Sequence, residues 1–123
     1  VDLAITGETI ATKADIDPMI TLSGLYYMSE LYANNADVCA PLISPLYADL
    51  SGLPPVLIHA GTCEMLLSDS RRIADALKRA GVDCQFKEWE DLFHVFHTVV
   101  RIPEARRATE EIADFIKKNI DKD

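Results

Sequence analysis

PPVLIHAGTCEMLLSDSRRIADALKRAGVDCQFKEW, residues Pro54 to Trp89, decides the fold. Val56-Leu57-Ile58-His59-Ala60 is a short, mostly apolar run between Pro54-Pro55 and Gly61-Thr62. Such a run suits a strand covered on both faces, as in a parallel sheet, better than a half-exposed hairpin strand. Ser68 to Ala80 then carries apolar residues at helical spacing. Ile73, Ala74, Leu77 and Ala80 make the inner face, Ser68 or Asp69 caps the start, and Gly81 ends it. From Val82 to Trp89 the period changes to two: Val82, Cys84 and Phe86 point one way, Asp83, Gln85 and Lys87 the other. That is a one-sided strand at or near a sheet edge. Strand, helix and strand within this length make a parallel crossover unit.

Outward from this unit the pattern loosens. Val1 to Asp17 shows no clear period, and Thr6-Gly7-Glu8-Thr9 and Asp15-Ile16-Asp17-Pro18 are turn-like clusters. The segment reads as a loop that lies on other structure. Thr21 or Ser23 caps a helix running to about Asn34-Asn35, with Leu25, Met28 and Leu31-Tyr32 as its buried stripe. Cys39 to Pro54 holds Pro41, Pro45 and Pro54 and is expected to be irregular, because proline lacks a backbone donor. Asp91 to His97 is a loop rich in aromatic and histidine side chains. Pro103 suits the first turn of a last helix. Ile112, Phe115-Ile116 and Ile120 form its core stripe, and Lys117, Lys118 and Lys122 favour its C-terminal end.

Two strands cannot bury both faces of a parallel sheet. The pattern therefore predicts an α/β fold in which residues 1–123 are the C-terminal part of a larger single domain. A start at Val1 without an initiator Met agrees with that expectation. The 123 residues carry 12 Lys+Arg against 20 Asp+Glu, a net charge of −8. That balance argues against nucleic-acid binding and against an anionic membrane surface. No apolar run approaches the ~20 residues of a membrane span. Cys39, Cys63 and Cys84 are odd in number and widely spaced, so they form neither a disulfide framework nor a metal knuckle. A reducing compartment, the cytoplasm, is the expectation that follows.

Open α/β sheets place reacting groups beyond the C-terminal ends of their strands. Here those positions are Gly61-Thr62-Cys63-Glu64 and Asp91-Leu92-Phe93-His94-Val95-Phe96-His97. An acid on one loop and a histidine on the next is two-thirds of a nucleophile–histidine–acid relay. A loop histidine is more often exposed or structural, so the pair alone is weak grounds for catalysis. His94 and His97 resemble a metal-binding pair, but no third ligand stands at matching spacing, and neither metal nor cofactor is expected. His59, inside an apolar strand, reads as a satisfied core histidine. Cys63, beside Glu64 and without a cationic neighbour in sequence, reads as a buried thiol rather than a nucleophile. Met28, Tyr26, Tyr27 and Tyr32 read as helix-face packing before they read as an acyl pocket.

Several linked motifs add a resemblance. Ser44-Pro45-Leu46-Tyr47-Ala48-Asp49-Leu50, Gly52-Leu53-Pro54-Pro55, the strand with Gly61-x-x-Glu64, Ala80-Gly81-Val82 and His94-Val95-Phe96 occur in this order. With the opening Val1-Asp2-Leu3 and Gly7-Glu8, they resemble the bacterial hormone-sensitive-lipase-like branch of the α/β-hydrolases over essentially the whole chain. The resemblance implies hydrolysis of a small carboxylic ester, of short acyl chain, through a Ser–His–acid triad. His94 matches the family's general base and Glu64 its acid, where many members carry aspartate. Asp69 is the second candidate for the acid, although a cap at its helix start explains it equally well. Phe93 and Phe96 are candidates for the substrate pocket. The family's Gly-x-Ser-x-Gly and His-Gly-Gly segments are absent, and Ser23, Ser29, Ser44, Ser51, Ser68 and Ser70 stand in no such pattern. The isolated chain is therefore expected to be inert, with the remaining part of its domain as its first partner. The alternative is a non-catalytic, self-associating module. Raw sheet edges pair with other chains, and the Val82–Trp89 strand and the last helix are the surfaces expected to build a homo-oligomer.

Overall fold

The computed structural model describes residues 2–120; Val1 and Lys122 lie outside them. In chain order the elements are α1 (Glu8–Thr12), α2 (Leu22–Ala33), a 3₁₀ turn at Pro45–Tyr47, β1 (Val56–Gly61), α3 (Leu67–Arg79), β2 (Cys84–Trp89), a 3₁₀ turn at Phe96–Thr98, and α4 (Pro103–Ile120). β1 and β2 pair in parallel, from Val56 opposite Cys84 to Gly61 opposite Trp89. The crossover unit is thus present as read. One face of the two strands carries α3, through a core of Leu50, Leu77 and Val82 with Ile58, Ile73 and Cys84 packed against it. The core of the α4 side is Trp89, Phe96 and Ala108, flanked by Leu92, Phe93 and Ile102.

The end of α3 follows from its sequence. Gly81 adopts φ +77°, which costs glycine no Cβ clash. The N–H of Gly81 bonds the carbonyl of Lys78, and that of Val82 bonds Leu77, so a glycine-terminated Schellman turn closes the helix. Because Val82 serves this turn, β2 starts at Cys84, two residues later than the alternation suggested. The alternation also changes at the strand's end, where Glu88 is exposed and Trp89 is buried on the α4 side. The start of α3 differs from expectation too. No side chain caps it. Ser68 and Asp69 instead turn toward the N-terminal segment, where Ser68 Oγ accepts from the Thr9 N–H and Asp69 Oδ2 from the Asp2 N–H.

Three further expectations are corrected. The stretch up to Asp17 is not wholly irregular, for α1 lies against α3. In α2, Thr21 does cap the helix, accepting from the Gly24 N–H at 3.1 Å. Its apolar stripe, however, is not buried. Met28, Leu31 and Tyr32 are 61%, 58% and 64% exposed, while Ser29 and Ala33 face inward. The Ser29 hydroxyl donates to the Leu3 carbonyl at 2.7 Å, and this polar contact sets which side of the helix meets the protein. Tyr26 and Tyr27 are exposed as well, so the aromatic residues of α2 are not packing residues among the described residues. In α4 the seat is made by Ala105 and Ala108, with Ile112 and Phe115 half-buried, whereas Ile116 and Ile120 are exposed. The 18 residues of this helix span ~27 Å. The 6-residue strands span ~20 Å, so the end of α4 overhangs them. β1 is not covered along its length as the apolar run suggested: paired on one side only among the described residues, it is half-buried until Ala60 and Gly61.

Candidate functional site

The C-terminal ends of β1 and β2 are laced together by backbone. The Thr62 N–H donates to the Trp89 carbonyl at 2.9 Å and the Cys63 N–H to the Leu92 carbonyl at 2.8 Å. At Gly61 the two loops touch so closely that a Cβ would stand 2.1 Å from the Leu92 carbonyl oxygen, itself backbone and unable to swing away. Only glycine fits there. This close approach brings Glu64, on the loop after β1, to His94, on the loop after β2.

Glu64 is buried, with 4% of its surface exposed. Its Oε2 accepts from the Gly61 N–H at 2.9 Å, and its Oε1 lies 3.3 Å from His94 Nδ1. His94 is about one-third exposed. The hydrogen bond with Glu64 raises the histidine pKa above its ordinary 6.5; burial opposes this, and the charges of Glu64 and Asp17 add to the rise. Val95 follows with φ +54°, a left-handed conformation that a β-branched residue adopts at a cost. That turn leads into Phe96–Thr98, where Phe96 is buried against Trp89 with ring centroids 5.3 Å apart. The histidine is thus followed by a strained backbone step and anchored two residues on by a core aromatic. A shallow cleft runs past His94, Glu64, Asp69, His59, Phe96 and His97. Such a pair can hold one imidazole tautomer at Nδ1 and leave Nε2 to exchange a proton.

The remaining candidates fall elsewhere. Asp69 is buried and accepts from the Asp2 N–H at 2.9 Å, with Arg72 Nη1 3.8 Å away, and makes no hydrogen bond to His94. Burial raises its pKa more than these contacts lower it. Phe93 packs on the Trp89 core and does not line the cleft, whereas Phe96 does both. Cys63 is half-buried rather than fully enclosed. His97 is exposed. Among the described residues no three His, Cys, Asp or Glu side chains stand together as a metal site. His59 is not a satisfied core histidine: its side chain is 5% exposed, yet neither ring nitrogen has a hydrogen-bond partner. Its surroundings on β1 are the edge of Trp89 and, 3.4 Å from Nε2, the Glu111 carboxylate. Burial lowers its pKa, with Lys87 and His97 acting in the same direction against Glu111.

Asp17 and Thr9 escaped the reading from sequence. Asp17 Oδ2 accepts from the Met65 N–H at 2.8 Å, and the Thr9 hydroxyl donates to the Met65 carbonyl at 2.6 Å. The Asp15-Ile16-Asp17-Pro18 cluster announced a turn and no more. Its reach to the loop after β1 had no local signal.

Residues 1–98 match the family described as alpha/beta hydrolase fold. The chain belongs to the α/β-hydrolase family. It is 38% identical over 117 residues to an acetyl-hydrolase of Streptomyces hygroscopicus, covering 94% of this chain and 39% of that protein. It is 32% identical over 116 residues to an esterase of Acinetobacter venetianus, covering 93% and 38%. Among solved structures, a hormone-sensitive lipase from a metagenome library is 42% identical at a TM-score of 0.95, over 98% of this chain and 42% of the other. An esterase from the bacterial hormone-sensitive lipase family is 39% identical at a TM-score of 0.94, over 98% and 41%. This α/β-hydrolase chain therefore spans about two-fifths of the length of the relatives it matches, and within the family it resembles the hormone-sensitive-lipase-like esterases. No helix among the described residues is long and apolar enough to cross a membrane.

Proposed function

We propose that this chain is the C-terminal part of a longer carboxylic-ester hydrolase acting on small, short-acyl esters, and that it supplies His94 as general base and Glu64 as the acid of a Ser–His–acid triad. The observation that carries the reading is the 3.3 Å contact between Glu64 Oε1 and His94 Nδ1, made by loops at the ends of adjacent parallel strands. Glu64 holds the Nδ1–H tautomer and stabilises the imidazolium. Nε2 takes the proton of a serine hydroxyl as its oxygen attacks the acyl carbonyl, and returns it to the leaving alkoxide. Water then repeats the cycle on the acyl-enzyme. Asp69 gives one oxygen to the Asp2 N–H and makes no hydrogen bond to His94, whereas Glu64 does, which favours Glu64 for the acid. The serine is contributed from outside these residues, because none of this chain's serines stands in Gly-x-Ser-x-Gly.

The test is hydrolysis of p-nitrophenyl acetate and butyrate by the full-length protein. His94→Ala abolishes turnover. Glu64→Gln lowers kcat by roughly 10⁴-fold, the scale of replacing the acid of such a triad by its amide. The raised His94 pKa means that a neutral base appears only as pH climbs through that raised value. Glu64→Gln removes the cause, so the acid limb of the pH–rate profile moves to lower pH. Full activity in Glu64→Gln would return the acid role to Asp69 or another group. The 123-residue chain alone is inert in the same assay.

A second reading, self-association, is favoured by the outer edge of β2, which has no strand beside it among the described residues, and by exposed Ile116 and Ile120 on α4. Light scattering that gives a monomer at high concentration removes it.

A further inference from the structure

Asp17 sits at the end of the N-terminal segment and is buried. Its Oδ1 accepts from the N–H groups of Met19 and Ile20 at 2.8 and 3.0 Å, which already completes a side-chain-bonded turn. Its other oxygen accepts from the Met65 N–H, 48 residues away, at 2.8 Å. Met65 is wholly buried and directly follows Glu64. Its carbonyl is taken by the Thr9 hydroxyl at 2.6 Å, so both polar groups of Met65 are gripped by side chains of the N-terminal segment. Two oxygens that both accept require a carboxylate. An asparagine would set its amide donor against a backbone donor at one end or the other.

We propose that Asp17 is a positioning residue for the proposed triad: by holding the Met65 amide it fixes where the neighbouring Glu64 presents its carboxylate to His94. This rests on the reading of His94 as the base. The groups that share the cleft with His94 are Glu64 from the loop after β1, Asp69 from α3, His59 from β1, and His97 from its own loop, with Asp17 acting from the N-terminal segment. Of these, Glu64 and Asp17 act on the imidazole by charge, both favouring its protonated form.

The experiment uses the full-length protein, with p-nitrophenyl butyrate as substrate and the His94 imidazole signals assigned by their loss in His94→Ala. Asp17→Asn lowers kcat on the order of 10- to 100-fold at unchanged KM, the scale of a small misplacement of a reacting group. It also lowers the His94 titration midpoint, and the acid limb of the pH–rate profile follows. Asp17→Glu, which restores the charge, recovers the midpoint. Where Asp17→Asn does not fold, Asp17→Ser keeps an acceptor for the turn, gives up the second oxygen and the charge, and carries the same expectations. An unmoved midpoint and kcat in a folded variant, with His94→Ala inactive, overturns the proposal. Turnover by His94→Ala overturns instead the reading of His94 as base. In that case the midpoint decides the Asp17 contact by itself: lowered, it upholds the coupling to Glu64; unmoved, it overturns it.

Discussion

α2 and α3 are helices of 12 and 13 residues, and they meet the protein in opposite ways. Beyond its first turn, where Ser68 and Asp69 are buried, α3 buries Ala74 and Leu77 and exposes Arg71, Asp75, Lys78 and Arg79, as its apolar period foretells. α2 buries Ser29 and Ala33 and leaves Tyr26, Tyr27, Met28, Leu31 and Tyr32 outward. The contrast extends to the regions they belong to. Residues 56–120 are joined by apolar clusters and a parallel strand pair. Residues 2–47 are joined to them largely by polar groups, Asp2 with Arg72, Thr9 with Ser68 and Met65, Asp17 with Met65, Asp69 with Asp2, while Ala48 and Leu50 already enter the apolar core. Hydrophobic burial is non-directional and leaves a period in the sequence, whereas a hydrogen bond is specific and leaves none.

Five substitutions press on this difference, beginning with the largest effect. Gly61→Ala drives a Cβ into the Leu92 carbonyl and should cost on the order of 4 kcal/mol or prevent folding, the range of severe backbone strain. Denaturant unfolding with near-wild-type stability would mean the strand-end loops are not locked together. Leu77→Ala should cost about 3 kcal/mol as a buried truncation. Leu31→Ala on α2, 58% exposed, should stay within about 0.5 kcal/mol. Equal losses for the two leucines in urea titrations would break the contrast between the helices.

Asp2→Asn tests the polar tie of the N-terminal region. Burial alone would raise the Asp2 pKa, but hydrogen bonds from Thr6, Arg72, Ala4 and Tyr47 outweigh it and bring the pKa below its ordinary value. The ionised form is therefore the one that stabilises the fold. Its contribution is present above about pH 4, the unfolded value, and is lost as pH falls through the lower folded one. The variant should lose about 2 kcal/mol at neutral pH, as for a charged group losing its buried partners. The gap to wild type should close in acid, and urea unfolding at both pH values reads it. His94 has the opposite sign. Its raised pKa stabilises below about pH 6.5 and loses that contribution as pH rises through the raised folded value. The last effect is a gain. Val95→Gly should stabilise by about 1 kcal/mol, because φ +54° strains valine and not glycine. A destabilised variant, by thermal melting, would mean that the valine side chain contributes more than the strain costs.

Much of the fold, and the two loops that bring Glu64 to His94, is legible in the sequence. The apolar run of β1, the inner face of α3 and the alternation of β2 each repeat a local period, and both loops fall at strand ends where such sheets place chemistry. The stripe of α2 misled for the same reason: period announces an apolar face, not whether anything lies against it. His59 also misled, because an apolar strand implies burial without saying that Trp89 and Glu111, and no hydrogen-bond partner, would be its surroundings.

By itself the sequence determined the strand–helix–strand unit, the Gly81 stop of α3, the Pro103 start of α4, and the two loops that carry Glu64 and His94. These are local properties, written in side-chain period and in the backbone freedom of single residues. Only the tertiary structure decided that Gly61 must admit the Leu92 carbonyl, that Asp69 answers to Asp2, and that Asp17 and Thr9 hold Met65 from 48 and 56 residues upstream. Contacts of that kind depend on where the folded chain returns to itself, and no short-range pattern encodes the return.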